Sequence, residues 1–238
     1  MIEVVGLVKA FGLLPVLRGL DLSVPRGTFL ALLGPNGSGK TTLMRILAAL
    51  SKPTTGRVTI GGWELPHEAA AVRAQLGVVA HLPLLYDGLT AAENLAFYAR
   101  LYGLPPGERR ARIQAGLERV GLAARADDLV RTFSRGMQQR LAIARAILHQ
   151  PHVLLFDEPY TGLDQDAAAM LDELLGEIAQ DGHTIVMTTH DLTRALALST
   201  HVAILSRGQI GYHSRSADIR PDEFPALYAR VTGAAAAR

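Results

Sequence analysis

Short apolar runs alternate with helix-length amphipathic stretches along most of the chain, the pattern of a largely parallel sheet wrapped by helices. Thr28–Leu33, Gly77–Ala80, His152–Phe156, Thr184–Thr189 and His201–Leu205 are continuously apolar or β-branched, as strands buried on both faces are. Leu20–Val24 and Arg57–Ile60 instead alternate apolar and polar positions, which predicts half-exposed antiparallel strands beside the main sheet. Met1–Val5 also reads as a strand rather than as an export signal. Between Leu89 and Gln150 the strand signals stop. Ala91–Leu101, Gly107–Val120 and Gly136–Leu148 carry helical periodicity, separated by Gly103-Leu104-Pro105-Pro106 and a loop near Thr132. Residues 89–150 are therefore expected to form a helical insertion within one domain, with 1–88 and 151–238 supplying the core and its antiparallel layer. Beyond His201 the chain predicts a turn at Arg207–Gln209, a strand, a helix near Asp222–Val231 and a frayed end at Ala234–Ala237.

Hydrophobic residues make up 49% of the 238, enough for a substantial core, yet no apolar run approaches the roughly 18–20 residues of a membrane span. Cysteine is absent, which excludes disulfides and thiol chemistry. The net charge of +2 is too small to indicate a nucleic-acid partner, but its distribution is uneven. Ten arginines against four acids fall between Arg100 and Arg145, giving that segment +6 and the rest of the chain −4. Such a block suits solvated helix faces, or contact with a partner, anionic lipid or nucleic acid.

Candidate chemistry begins at Gly34-Pro35-Asn36-Gly37-Ser38-Gly39-Lys40-Thr41, which fits G-x-x-x-x-G-K-[ST]. A loop that wraps phosphates must aim successive backbone N–H groups inward, and glycines allow both the curvature and the close approach. Lys40 would reach the β- and γ-phosphates of a nucleotide, the Thr41 hydroxyl would bind Mg²⁺, and the helix opening at Thr41-Thr42 would add its positive end. An apolar strand before the loop and an apolar helix after it match the structural context the motif requires.

Two acids and a histidine end later strands. His152–Phe156 runs into Asp157-Glu158, and ligands of open parallel sheets sit beyond the carboxyl ends of strands. Asp157 would hold Mg²⁺ through water, and Glu158 would polarise the attacking water. His190 follows Thr184–Thr189 and would bond the γ-phosphate or the attacking water, its alternative being a structural role. His149 and His152 are three apart, but Pro151 breaks any helix between them, so they are not read as a metal pair.

Phe133-Ser134-Arg135-Gly136-Met137-Gln138-Gln139-Arg140 precedes an amphipathic helix, with Ser134 as its expected N-cap. The ordered set of phosphate loop, Ser-x-Gly, Asp157-Glu158, Gly162-Leu163-Asp164 and His190 resembles the nucleotide-binding subunit of ABC transporters over essentially the whole chain. The resemblance implies an α/β P-loop NTPase fold. Its parts are a mixed RecA-like core, an N-terminal antiparallel β-subdomain and an inserted α-helical subdomain. It implies hydrolysis of ATP with Mg²⁺ in a head-to-tail dimer, expected to be a homodimer, at the cytoplasmic face of a membrane beside an integral permease. In that dimer Ser134, Arg135, Gly136 and Met137 would meet the γ-phosphate bound by the opposite chain, and Asp164 would lie at the interface. Phe11 would stack on adenine, its alternative being a core phenylalanine. Phe133, Arg135 and Met137 depart from the first, third and fifth residues of the usual Leu-Ser-Gly-Gly-Gln, and the added guanidinium would either bind anions or pair with an acid.

A second departure lies in the lid loop after Gly77–Ala80, where His81 takes the place of the family's glutamine. An imidazole can bond water but is a poor ligand for Mg²⁺, so the family's magnesium sensing is not expected to transfer; a loop histidine without nucleotide contact is the alternative. His81, the chain length and the Leu84–Thr90 and Glu93–Leu95 stretches resemble the haem exporter ATPase of cytochrome c maturation. Multidrug, antibiotic or lipid exporters are the alternative. ABC ATPases that remodel nucleic acid carry long coiled coils or a second ATPase domain. This chain has neither, so no nucleic-acid partner is expected.

Overall fold

The computed structural model describes residues 1–80 and 82–233, so His81 and the Ala234–Ala237 run lie outside the described residues. In chain order the elements are β1 (Ile2–Phe11), β2 (Leu14–Val24), β3 (Phe29–Leu33), α1 (Lys40–Leu47), β4 (Thr55–Ile60), β5 (Trp63–Leu65), α2 (Ala69–Ala74) and β6 (Leu76–Val79). Three helices follow: α3 (Ala91–Leu101), α4 (Pro106–Arg119) and α5 (Arg135–Ile147). The chain then continues through β7 (Val153–Asp157), α6 (Gln165–Gln180), β8 (Thr184–Thr188), α7 (Leu192–Leu198), β9 (His201–Ser206), β10 (Gln209–Arg215) and α8 (Phe224–Thr232).

The central sheet runs β10-β9-β3-β8-β7-β6, parallel except for β10, which returns antiparallel to β9. A separate antiparallel sheet, β2-β1-β4-β5, lies against it. Both faces of the central strands are buried, which explains their unbroken apolar runs. Successive side chains enter different cores. Leu154, Phe156, Ile185 and Met187 face the helical layer. Val153, Leu155, Val186, Leu30 and Leu32 face α1 and the antiparallel sheet. Ala31 and Leu33 pack with α7 and α8. The antiparallel strands are longer than their alternation predicts, because β-bulges along β1 shift the register and break the period that a sequence reading relies on.

Helices α3, α4 and α5 sit between β6 and β7 in the chain. A capping box opens α3: Thr90 Oγ1 accepts from Glu93 N at 3.1 Å, and the Glu93 carboxylate accepts from Thr90 N at 2.8 Å. Arg145, buried in α5, ties this layer to the sheet. It donates to the carbonyls of Val78, Pro83 and Leu84 and lies 5.1 Å from the centre of the Tyr98 ring. Much of the arginine block works in this way. Arg109, Arg135 and Arg140 donate to backbone carbonyls, while Arg112, Arg119 and Arg125 pair with Glu108, Asp181 and Asp128. The +6 segment is thus partly an internal fastening rather than a free basic face.

His149, just beyond α5, stacks on Tyr102 at 4.1 Å and its Nε2 donates to the Leu76 carbonyl at 3.0 Å. Its Nδ1 is buried, with no hydrogen-bond partner among the described residues. Burial, only partly offset by the Leu76 bond, holds its pKa below the ordinary 6.5, since a second proton would have no acceptor. The folded state therefore binds this proton less readily than the unfolded chain. The associated stability is full above about pH 6.5 and is lost as pH falls toward the lower folded value. Urea unfolding between about pH 7 and pH 5 should show this decline, and His149→Phe should flatten it.

Candidate active site

The parallel register places three strand ends side by side. Leu32 of β3 pairs with Thr188 of β8, and Thr188 pairs with Asp157 of β7. The loops that leave these ends carry Gly34–Thr41, Asp157-Glu158 and His190.

Gly34 and Gly39 both adopt positive φ, 154° and 110°. A Cβ on Gly34 would collide with the Leu205 carbonyl, and one on Gly39 would come 2.7 Å from Leu17 Cδ2, so β9 and β2 close on the loop from either side. The turn after β9 is also joined to it, through Gly208 N donating to the Ser38 carbonyl at 3.1 Å. Lys40 opens α1, is 7% exposed, and donates to the carbonyls of Gly34 at 2.6 Å and Pro35 at 3.2 Å. Burial lowers its pKa, opposed by the charges of Glu158 and Asp157, which places both carboxylates within electrostatic reach of the loop. Asn36, Gly37 and Thr41 are exposed and Thr42 is half-buried, so the outer rim of the loop meets solvent.

Thr188 organises the acids, and the sequence reading had passed over it. Its hydroxyl donates to Asp157 Oδ1 at 2.7 Å and accepts from Glu158 N at 2.8 Å. Glu158 itself has φ 50°, a left-handed conformation that costs an L-residue energy and is characteristic of functional sites. Its carboxylate also accepts a long bond, 3.5 Å, from Thr161 Oγ1. His190 is exposed at the end of β8, between buried Thr189 and Asp191, the N-cap of α7. Phe11, 57% exposed, is not a core residue. It ends β1 opposite Leu14, on the hairpin whose returning strand packs against Gly39, and the Lys9 ammonium lies 4.9 Å from its ring centre.

The Ser134 segment sits elsewhere, against residues 161–167 of its own chain. Ser134 caps α5, accepting from Met137 N at 3.3 Å. Arg135 Nε donates to the Thr161 carbonyl at 2.8 Å, and its side chain covers Gly162. A Cβ on Gly136 would come 2.8 Å from Ala167 Cβ, so this helix start packs closely on the next. Asp164 caps α6, accepting from Ala167 N at 2.8 Å.

The donor chemistry suits a nucleotide with Mg²⁺. Ser38 Oγ is buried inside the loop with no hydrogen-bond partner among the described residues, and Thr41 and Asp157 offer hard oxygen ligands. Among the described residues no group of three or more His, Cys, Asp or Glu could hold a metal.

A family model described as ABC transporter matches residues 17–161. The chain belongs to the ABC transporter family. As an ABC transporter ATPase it binds and hydrolyses ATP, and its fold is the ABC ATPase fold. It is 34% identical to the linearmycin resistance ATP-binding protein LnrL of Bacillus subtilis over 88% of this chain and 68% of that protein. It is 38% identical to a Nod factor export ATP-binding protein I of Ralstonia nicotianae over 88% of this chain and 65% of that protein. The chain thus spans about two thirds of the length of these relatives. An ATP-binding cassette solved as a dimer in a post-hydrolysis state, with ADP and Pi, superposes with a TM-score of 0.81 at 29% identity, covering 91% of this chain and 99% of that one.

Thr188→Val would strip Glu158 N–H and Asp157 of their shared partner while keeping the side-chain shape. Denaturant unfolding should show a loss of about 1–3 kcal/mol.

Proposed function

We propose that this chain powers export of an organic small molecule through a separate integral permease, working as a homodimer at the cytoplasmic face of the membrane. One observation carries the dimer: a single chain holds two anion-directed elements on different surfaces. The phosphate loop faces Asp157 and Glu158, whereas the exposed Ser134 cap is seated on the 161–167 segment. A head-to-tail pair would set Ser134, Arg135, Gly136 and Met137 of one subunit against the nucleotide held by Gly34–Thr42 of the other, with Asp164 between the two sites. Phe11 would stack on the base.

Within that site Lys40 turns from its own loop carbonyls to the phosphates, Glu158 orients and deprotonates the attacking water, and His190 bonds the γ-phosphate. Thr41 and Asp157 would hold Mg²⁺, which supplies charge neutralisation on the phosphate oxygens. ATP then acts as a clamp between subunits, and hydrolysis releases it.

The permease has a candidate landing surface. Leu82, Leu84, Tyr86, Phe97 and Leu101 are exposed together on the segment after β6 and on α3, and Tyr86 meets Phe97 edge to face at 4.9 Å. An exposed apolar cluster of this kind marks an interaction site. Among the described residues no helix is long and apolar enough to cross a membrane. The names of the relatives, linearmycin resistance and Nod factor export, support an organic cargo. The haem reading rests on His81, the chain length and the Leu84–Thr90 and Glu93–Leu95 stretches, and we rank it second.

Glu158→Gln should keep ATP affinity and lose turnover by about 10²-fold or more; near-normal hydrolysis would remove Glu158 from the chemistry. Ser134→Arg should bind ATP but not dimerise with it, as read by size-exclusion chromatography, and an ATP-dependent dimer in that variant would refute the sandwich. Leu84→Asp with Leu101→Asp should abolish co-purification with the permease while sparing the isolated subunit's hydrolysis.

A further inference from the structure

Beside the site lies a cluster to which the cycle above assigns no part. The turn Glu158–Thr161 closes through Thr161 N donating to the Glu158 carbonyl at 3.2 Å, and it carries the largely buried ring of Tyr160. The Arg194 guanidinium lies 4.5 Å from the centre of that ring. Arg194 Nε reaches both carboxylate oxygens of Asp172 on α6, at 3.0 and 3.1 Å, and its Nη1 donates to Asp191 Oδ2 at 3.0 Å. Asp191 follows His190 directly. Its other oxygen accepts from Arg194 N at 2.9 Å, and its own N–H donates to Thr189 Oγ1 at 3.1 Å.

One planar cation therefore joins three parts of the chain: the turn after β7 through a ring face, α6 through Asp172, and the loop after β8 through Asp191. Lysine could not reproduce this, because a point charge has neither the fork nor the stacking plane. Without Arg194, two carboxylates would face each other beside a buried phenol. Burial and Asp172 raise the pKa of that phenol and so keep it neutral, and a neutral phenol cannot replace the positive charge of the guanidinium.

We propose that Arg194 is a positioning residue that fixes the spacing between Glu158 and His190. This rests on the catalytic reading of those two residues. It acts through Tyr160 on one loop and Asp191 on the other and touches no substrate. Displacement of the water-activating carboxylate relative to the γ-phosphate partner is the consequence of its loss, with the phosphate loop left intact.

The test measures ATP hydrolysis and ATP affinity of the full chain, with melting temperature as a control. Arg194→Ala should lower kcat by about 10- to 100-fold while the ATP half-saturation moves by less than about threefold, since misplacement by an ångström has effects of that size. Arg194→Lys should recover only part of the loss, and Asp172→Asn should reproduce a fraction of it. In a His190→Ala background, under single-turnover conditions, Arg194→Ala should cost less than about twofold more, because residues acting as one unit are not additive. The proposal is overturned if folded Arg194→Ala keeps kcat within about twofold, or if its loss multiplies fully with that of His190→Ala. It is overturned alone if Glu158→Gln and His190→Ala are inactive while the Arg194 variants are normal. If Glu158→Gln still turns over, the catalytic reading falls and takes the proposal with it.

Discussion

The parallel register of β3, β8 and β7 fixes where everything else can be. Because Leu32, Thr188 and Asp157 stand in line across three strands, the loops that follow must emerge at one edge of the sheet. A one-residue slip would exchange the two faces of each strand and send Leu154 and Phe156 into the core that now holds Val153 and Leu155. Burial on both faces thus holds the register, and the register holds the site. Thr188 adds the polar part of the same constraint, bonding the neighbouring strand at the point where apolar packing ends.

Much of this was legible in the chain. Strands buried on both faces announce themselves as unbroken apolar runs, and the phosphate loop is a contiguous motif whose glycines answer to local backbone needs. Ser134 could be read as a cap because capping is local. What could not be read depends on partners distant in sequence. Thr188 looked like one more β-branched residue, and only the knowledge that β7 and β8 are neighbours would have marked it. Asp172 and Arg194 meet although they stand 22 positions apart in the chain, with no periodicity to join them. Arg135 shows the same limit from the other side. Its charge suggested an anion or an acid, whereas within the chain its Nε donates to a carbonyl of the 161–167 segment.

The arginine block between Arg100 and Arg145 illustrates how charge can mislead when only summed. Guanidinium groups carry several donors, and helix ends and loops supply carbonyls that need them. Arg145 alone satisfies three carbonyls from both flanks of the lid segment. A net positive count therefore says more about how this helical layer is fastened than about what it attracts.

The left-handed backbone of Glu158 has a consequence for how this protein can change. Glycine would occupy φ 50° without penalty, and relief of such strain is worth about 1–3 kcal/mol. On the proposed role of Glu158, selection for heat resistance alone would favour glycine at this position and remove the group that drives turnover. On that reading, durability and turnover pull against each other at a single residue.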